Sequence, residues 1–157
     1  MRTFTQIHVA ISLIAIASGL VVMFGLLSRQ RFDRWTALFL LTTVATSVTG
    51  FFFPFHGFTP AIGVGIISVF LLAIALVARY LRHLENAWRW IYVLTALTAL
   101  YLNIFVLIVQ SFQKIPALKA LAPTQSEPPF LIAQLVTLLL FVVLSIVAAL
   151  RFHLDVR

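Results

Sequence analysis

Five long runs without any Asp, Glu, Lys or Arg constrain the fold of this chain more than any other feature. They cover residues 4–27, 35–53, 60–78, 91–112 and 130–150. A helix needs roughly 20 predominantly apolar residues to cross the hydrocarbon core of a bilayer. One charged residue at the helix centre costs about 2.5–3.5 kcal/mol on insertion scales. Each run therefore predicts a membrane-spanning helix, and we expect an all-α integral membrane protein.

The composition agrees with this prediction and argues against a water-soluble fold. Of the 157 residues, 62% are apolar and only 10% are charged, whereas water-soluble domains carry about 25% charged residues. Five crossings of ~20 residues each use about two thirds of such a chain, which leaves little for an aqueous domain. We therefore expect a single transmembrane domain over residues 1–157. It should contain five transmembrane helices in a compact antiparallel bundle, with one longer outer loop at residues 113–129.

The basic residues lie between the apolar runs and predict the orientation of the chain. When alternate loops are assigned to alternate sides, eight Lys and Arg residues fall on one side and three on the other. The eight are Arg29, Arg31, Arg34, Arg79, Arg82, Arg89, Arg151 and Arg157. Because cytoplasmic loops carry the excess of Lys and Arg, we expect the amino terminus outside and the carboxyl terminus in the cytoplasm. The net charge of +7 then reflects topology, and no nucleic-acid partner is expected.

The side chains that usually carry catalysis or coupled transport are missing from the five runs. The chain has no Cys, and it shows no hydrolase triad, histidine-rich zinc motif or phosphate-binding loop. Pumps and coupled transporters place ionisable side chains inside their spans, and these runs contain no Asp, Glu, Lys or Arg. The sequence therefore predicts neither identifiable catalytic residues nor a proton-coupled transporter.

Uncharged polar side chains gather near the predicted outer ends of the spans. His8 lies about one turn into the first span, His56 follows the second, and Gln134 lies near the outer end of the fifth. Asn103 and Gln110 are seven residues apart on the fourth span, so they share one helix face. We expect these five residues to converge on one outward-facing site that binds a small ligand.

Two of these side chains suggest a metal or haem centre. A neutral imidazole offers a lone pair, which makes His the commonest metal ligand and an axial ligand of haem. The first two spans are antiparallel neighbours, so we expect His8 and His56 to face each other at similar depth and to be able to bind haem or copper. The Phe-rich segment 51–58 offers flat walls for a quinone. Purely interfacial histidines and a lipid-facing Phe rim remain alternatives.

Small residues at helical spacing support a different function. The second span carries Thr42, Thr46 and Gly50 on one stripe, and the third carries Gly65 and Ser68. Small residues let helices approach closely in lipid, and Ser or Thr hydroxyls can bond back to their own helix, so packing alone can explain them. The alternative function is a non-catalytic accessory or assembly subunit of a larger membrane complex. A homo-oligomer is also possible.

The first three spans also carry an ordered set of short motifs. In sequence they are His8, Gly19, Gly25, Arg34-Trp35, Thr49-Gly50-Phe51 and His56-Gly57-Phe58-Thr59-Pro60. This order resembles small bacterial multi-pass membrane proteins of the DUF2306-like kind and covers about half of the chain. Members often have His before the Arg-Trp pair, where this chain has Asp33. The family has no defined activity, so the resemblance implies a location in the bacterial inner membrane and no particular reaction.

Overall fold

The computed structural model describes residues 1–154, and this part of the chain is helical without any strand. Its helices are α1 (Arg2–Leu27), α2 (Asp33–Gly50), α3 (Pro60–Leu76), α4 (Trp88–Lys114), α5 (Pro116–Leu121) and α6 (Pro128–Leu154). A single π-helical turn, Val77–Leu81, continues α3. The predicted all-α fold is confirmed, while Arg157 of the charge count lies outside the described residues.

Four helices in the described part of the chain are long and apolar enough to cross a membrane. They are Arg2–Leu27, Pro60–Leu81, Trp88–Lys114 and Pro128–Phe152. The remaining predicted span, residues 35–53, corresponds to α2, which is 18 residues long. This helix is more polar than the other four because it begins with Asp33 and Arg34 and contains several threonines.

Local sequence explains where the second connection begins and ends. The hydroxyl of Thr59 accepts a hydrogen bond from the backbone N–H of Ile62 at 3.4 Å. Such a side chain satisfies an otherwise unpaired N–H at the start of a helix, and Pro60 is preorganised for the first helical position. At the other side, α2 ends at Gly50, three residues before the predicted end of the second span at residue 53. The intervening residues 51–59 form turns and irregular structure.

The most tightly packed part of the molecule lies at the end that contains Arg79. The largest fully buried apolar side chains are there, in the first half of α2, the second half of α3 and the first half of α4. They include Phe39, Leu40, Leu72, Tyr92, Val93, Leu97 and Leu100. Lipid tails are as apolar as Leu, so contacts between these helices depend on close packing. This end therefore forms the hydrophobic core of the described residues.

Gly19 allows α1 to come close to α2 and α4 at this core. A Cβ atom at Gly19 would lie 2.5 Å from Cδ1 of Leu100 and 2.9 Å from two ring atoms of Phe39. Both neighbouring side chains are fully buried. Nearer the amino end of α1, before Ala15, no residue is buried. The helices therefore pack closely at one end and leave space between them at the other.

The loop before α6 is closed by the carboxylate of Glu127. Its oxygens accept hydrogen bonds from the backbone N–H of Thr124 at 3.2 Å, from the Thr124 hydroxyl at 2.8 Å and from the backbone N–H of Ser126 at 3.1 Å. Desolvation raises the pKa of Glu127, but the hydrogen bonds to Thr124 and Ser126 outweigh it and lower the pKa below its ordinary value. The folded loop therefore favours the ionised carboxylate.

Acid is expected to open this loop. Because the pKa of Glu127 is lower in the folded loop than in the unfolded chain, its stabilisation is complete above the ordinary pKa and is lost as the pH falls through the folded-state pKa. Hydrogen exchange of the Thr124 and Ser126 amides, corrected for the intrinsic pH dependence, should show protection at pH 7 that is lost as the pH falls through the lowered pKa of Glu127. Glu127→Gln should already show weaker protection at pH 7, because its side chain keeps only one acceptor oxygen. Wild-type protection in this variant would contradict the prediction.

Candidate functional site

A cavity of ≈ 530 Å³ lies between α1, α2, α3 and α4 at the end of the bundle opposite Arg79. Its walls are largely apolar, with Leu102 and Val106 contributed by α4 and Phe51 and Phe53 by the connection after α2. Ligand sites for small organic molecules have volumes of about 300–1,000 Å³ and mostly apolar walls with a few polar groups. The cavity therefore has the size and lining of a small-molecule site.

Three of the five predicted site residues line this cavity. His8 enters from α1, while Asn103 and Gln110 enter from the same face of α4. The two amides, seven residues apart on α4, both line the cavity. Lys114, one turn beyond Gln110, is the only charged residue in the lining, and it is exposed.

The other two predicted site residues lie elsewhere. His56 is exposed on the connection between α2 and α3 and does not line the cavity. Because α2 ends at Gly50, His56 is not carried on a helical extension towards α1. Gln134 of α6 donates a hydrogen bond from Nε2 to the backbone oxygen of Phe105 at 3.3 Å. It thus belongs to the contact between α6 and α4.

Hydrogen bonds fix the orientation of the His8 imidazole. Its Nδ1 lies 2.8 Å from Oγ1 of Thr49, and that hydroxyl donates to the backbone oxygen of Ala45 at 2.7 Å. A hydroxyl has one proton, and a carbonyl oxygen can only accept. Because the Thr49 hydroxyl donates its one hydrogen bond to the Ala45 carbonyl, it can only accept from His8. Nδ1 of His8 must therefore carry a hydrogen and donate a hydrogen bond to Thr49. Neutral His8 therefore has an available lone pair on Nε2.

Asn103 offers a second acceptor to the cavity. Its Nδ2 donates to Oγ1 of the fully buried Thr43, at 3.4 Å. Among the residues that the structure describes, Oδ1 of Asn103 and the side-chain amide of Gln110 have no hydrogen-bond partner. An amide at this depth in a membrane protein needs a partner from another helix or from a ligand. The Oδ1 atom is therefore available to a donor group of a bound molecule.

Most Ser and Thr hydroxyls of the spans bond to their own helix, as the packing interpretation predicts. Ser12 donates to the His8 carbonyl at 2.8 Å, and Thr98 donates to the Leu94 carbonyl at 2.7 Å. The exceptions among the cavity-lining residues are Ser47, Ser68 and Thr46, which sequence patterns alone did not identify as site residues. Oγ1 of Thr46 is buried without a hydrogen-bond partner. Thr46 and Ser68 lie on the predicted small-residue stripes and Ser47 lies next to Thr46, which was the available signal for these residues.

Some phenylalanines of the segment 51–58 line the cavity, and others form an exposed rim. Phe51, Phe53 and Phe55 line the cavity, and the Phe53 ring stands edge-on to His8 with 5.0 Å between ring centroids. Phe52 and Phe58 are exposed by 72% and 79%. One part of the segment thus forms a wall of the cavity, and the other part forms an apolar rim.

The cavity offers one imidazole, two amides, several hydroxyls and the exposed ammonium group of Lys114 as polar groups. Within residues 1–154, no three or more His, Cys, Asp or Glu side chains cluster in a way that could hold a metal ion. The second histidine predicted for haem or copper, His56, does not line the cavity. Hydrogen bonding to the oxygens of an uncharged organic ligand fits these groups better than metal coordination does.

Comparison of the chain with protein-family models, with curated proteins and with solved structures found no match. The resemblance to DUF2306-like proteins therefore remains a prediction from sequence motifs. Since a fold alone does not define an activity, function must be inferred from the cavity and its side chains.

Proposed function

We propose that this chain is a five-span protein of the bacterial inner membrane that binds a quinone-class ligand in its outer-facing cavity. The amino terminus is outside, and the carboxyl terminus is in the cytoplasm. Four spans have the composition of membrane helices, and contacts along α1 support α2 as the fifth. His8 of α1 meets Thr49 near the end of α2, while Gly19 meets Phe39 nearer its start. The two helices are therefore antiparallel and cover the same depth.

The observation that carries this proposal is the pair of available acceptors in an apolar, aromatic cavity. Nε2 of His8 and Oδ1 of Asn103 can each accept a hydrogen bond. A quinol has a flat ring with hydroxyl groups on opposite sides, and each hydroxyl can donate one hydrogen bond. The Phe51 and Phe53 rings supply apolar surface for the ring of the ligand. Because the quinone form has oxygen acceptors in place of these donors, we expect the reduced form to bind more tightly.

A neutral ligand also suits the electrostatics of the cavity. No charged side chain other than Lys114 occurs in the lining, so a buried ionised ligand would lack the compensation that burial of charge requires. Haem and copper are competing candidates for binding at His8. Each of them would need further metal ligands, which the cavity lining supplies only as amides and hydroxyls.

Replacing His8 by Ala is expected to weaken quinol binding about five- to tenfold, since it removes one hydrogen bond worth about 1 kcal/mol. The protein is purified in mild detergent, and its organic extract is analysed for quinones by reversed-phase chromatography. The affinity for added quinol and quinone is measured by titration. The visible spectrum and elemental analysis of the same sample test for haem and copper.

His56→Ala is the matched control, because it removes the same side chain from an exposed position outside the cavity. It should bind quinol as the wild type does, whereas Asn103→Leu should show a loss similar to that of His8→Ala. Wild-type affinity in both cavity variants would contradict the proposal. Stoichiometric haem or copper would replace quinone as the ligand. A ligand-free protein that co-purifies with a stoichiometric partner would favour the accessory-subunit alternative.

A further inference from the structure

A second cavity, of ≈ 450 Å³, lies at the opposite end of the bundle, between the start of α2 and the π-helical turn. Its lining includes Arg31, Asp33, Arg34, Arg79 and His83. Three guanidinium groups face one carboxylate, so the cavity carries an excess of positive charge. It shares no residue with the cavity of the proposed quinone site.

Arg79 forms the inner wall of this basic cavity. Its side chain is only 9% exposed, although its ion-pair partner Asp33 is 75% exposed. The guanidinium carbon lies 5.4 Å from the ring centroid of Tyr92 and 5.8 Å from that of Tyr80. Contacts of this kind attract a cation to the ring faces and fix the guanidinium plane. Arg79 is therefore held in place before any ligand arrives.

An irregular backbone segment brings the rest of this wall together. After the π-helical turn, His83 has φ 47° and Leu84 has φ 58°, a left-handed conformation that non-glycine residues rarely adopt. Leu84 is buried, and its carbonyl accepts a hydrogen bond from Nε of Arg89 at 2.8 Å. Left-handed non-glycine residues and π-turns are both concentrated at functional sites. Here they place His83 beside Arg79 at the edge of the cavity.

We propose that this basic cavity binds a phosphate group, supplied by the headgroup of an anionic phospholipid. Guanidinium groups bind phosphate through paired N–H donors, and basic cavities between spans on the cytoplasmic side bind anionic headgroups. Trp35 and Trp90 are exposed at the same end of the bundle, as expected for an aromatic belt at headgroup depth. The incoming phosphate takes the place of the Asp33 carboxylate at Arg79.

Replacing Arg31 and Arg34 together by Gln is expected to lower the affinity for phosphatidylglycerol about thirtyfold, or about fivefold for each arginine near the membrane surface. The wild type and this double variant are placed in phosphatidylcholine nanodiscs that contain a trace of phosphatidylglycerol. Retained lipid is then quantified by native mass spectrometry. Arg79 is left unchanged in the variant, because it is part of the packed core.

Arg82→Gln with Arg151→Gln is the matched control. Arg82 lies over the Trp88 ring, and Arg151 donates to the Leu27 carbonyl; neither lines the cavity. The control should keep most of the affinity for phosphatidylglycerol, and its helical content should match that of the test variant. Equal losses in the two variants would overturn the proposal. So would a wild-type protein that retains phosphatidylglycerol no better than phosphatidylcholine.

Inorganic phosphate separates the two sources of the same chemical group. If millimolar phosphate does not displace the lipid, the site requires the headgroup together with its acyl chains. If phosphate displaces the lipid from the wild type and binds the Arg31/Arg34 variant more weakly, the cavity is a phosphate site that free phosphate also occupies. Failure of the quinone experiment would leave this result unaffected, because the two cavities have no lining residue in common.

Discussion

Val106→Trp is expected to abolish ligand binding in the first cavity while the helices remain folded. Val106 lies on α4 about one turn beyond Asn103 and lines the cavity, so the larger indole would occupy space that the ligand needs. Unlike an insertion into a close-packed core, which typically costs 1–3 kcal/mol, this change fills existing volume. We expect the affinity for quinol to fall at least about a hundredfold, equivalent to about 2.7 kcal/mol.

The measurement is quinol titration of the purified variant, with thermal denaturation recorded on the same sample. Leu131→Trp provides the matched control, because Leu131 is 53% exposed on α6 and lies outside the cavity lining. That variant should bind as the wild type does. Unchanged binding by Val106→Trp would place the ligand elsewhere. His8→Ala removes a hydrogen-bonding group without reducing the volume of the cavity, whereas Val106→Trp reduces the volume and keeps that group. The two tests therefore separate the effect of hydrogen bonding from the effect of available volume.

Gly19→Leu is expected to prevent the native packing of α1. Even a single Cβ atom at this position would lie within 3 Å of Leu100 and Phe39, and both of these side chains are fully buried. Gly19→Ala should therefore lower the free energy of unfolding by about 1–3 kcal/mol, as other overpacked cores do. Leu adds three more carbon atoms in the same place. Since total stability is typically about 5–15 kcal/mol, we expect little folded protein.

Thermal denaturation in detergent, combined with size-exclusion chromatography, measures this effect. Gly50→Ala is the control, because a Cβ atom there would meet only Cε1 of His8, at an ordinary distance of 3.7 Å. An Ala in place of a helical Gly stabilises by roughly 0.5–1 kcal/mol where it fits. Equal stability of the Gly19→Ala and Gly50→Ala variants would show that close approach at Gly19 does not matter.

The positions of the helices could be predicted because charge is expensive in a bilayer and therefore marks their ends. The exact ends depended on local backbone geometry, which the positions of charged residues do not indicate. The second span ends at Gly50 and not at residue 53, and the π-helical turn Val77–Leu81 has no periodicity of its own. His83 and Leu84 also adopt the left-handed conformation, and because neither is a glycine, the sequence did not indicate it.

The candidate site was predictable where a single helix determined it. Asn103 and Gln110 share a face of α4 whatever that helix packs against. The placement of Gln134 depended on how α6 is rotated against α4, and that rotation is set by tertiary contacts. The roles of Ser47 and Ser68 depended on side-chain rotamers, since the same hydroxyl can face its own helix or a cavity. Single-helix periodicity thus gave part of the site, and helix packing decided the rest.

The one-sided core makes the bundle mechanically uneven. Large interlocked side chains hold the helices together near Arg79, whereas the cavity near His8 separates them. Because close-packed interiors resist displacement, we expect any tilting of α1 or α3 to change the cavity end more than the packed end. A hydrophobic solute dissolved in surrounding lipid would then reach the cavity from the side, between the helices. The occupancy of the cavity by this solute should then depend on bilayer thickness and lateral pressure more than on the concentration of the solute in water.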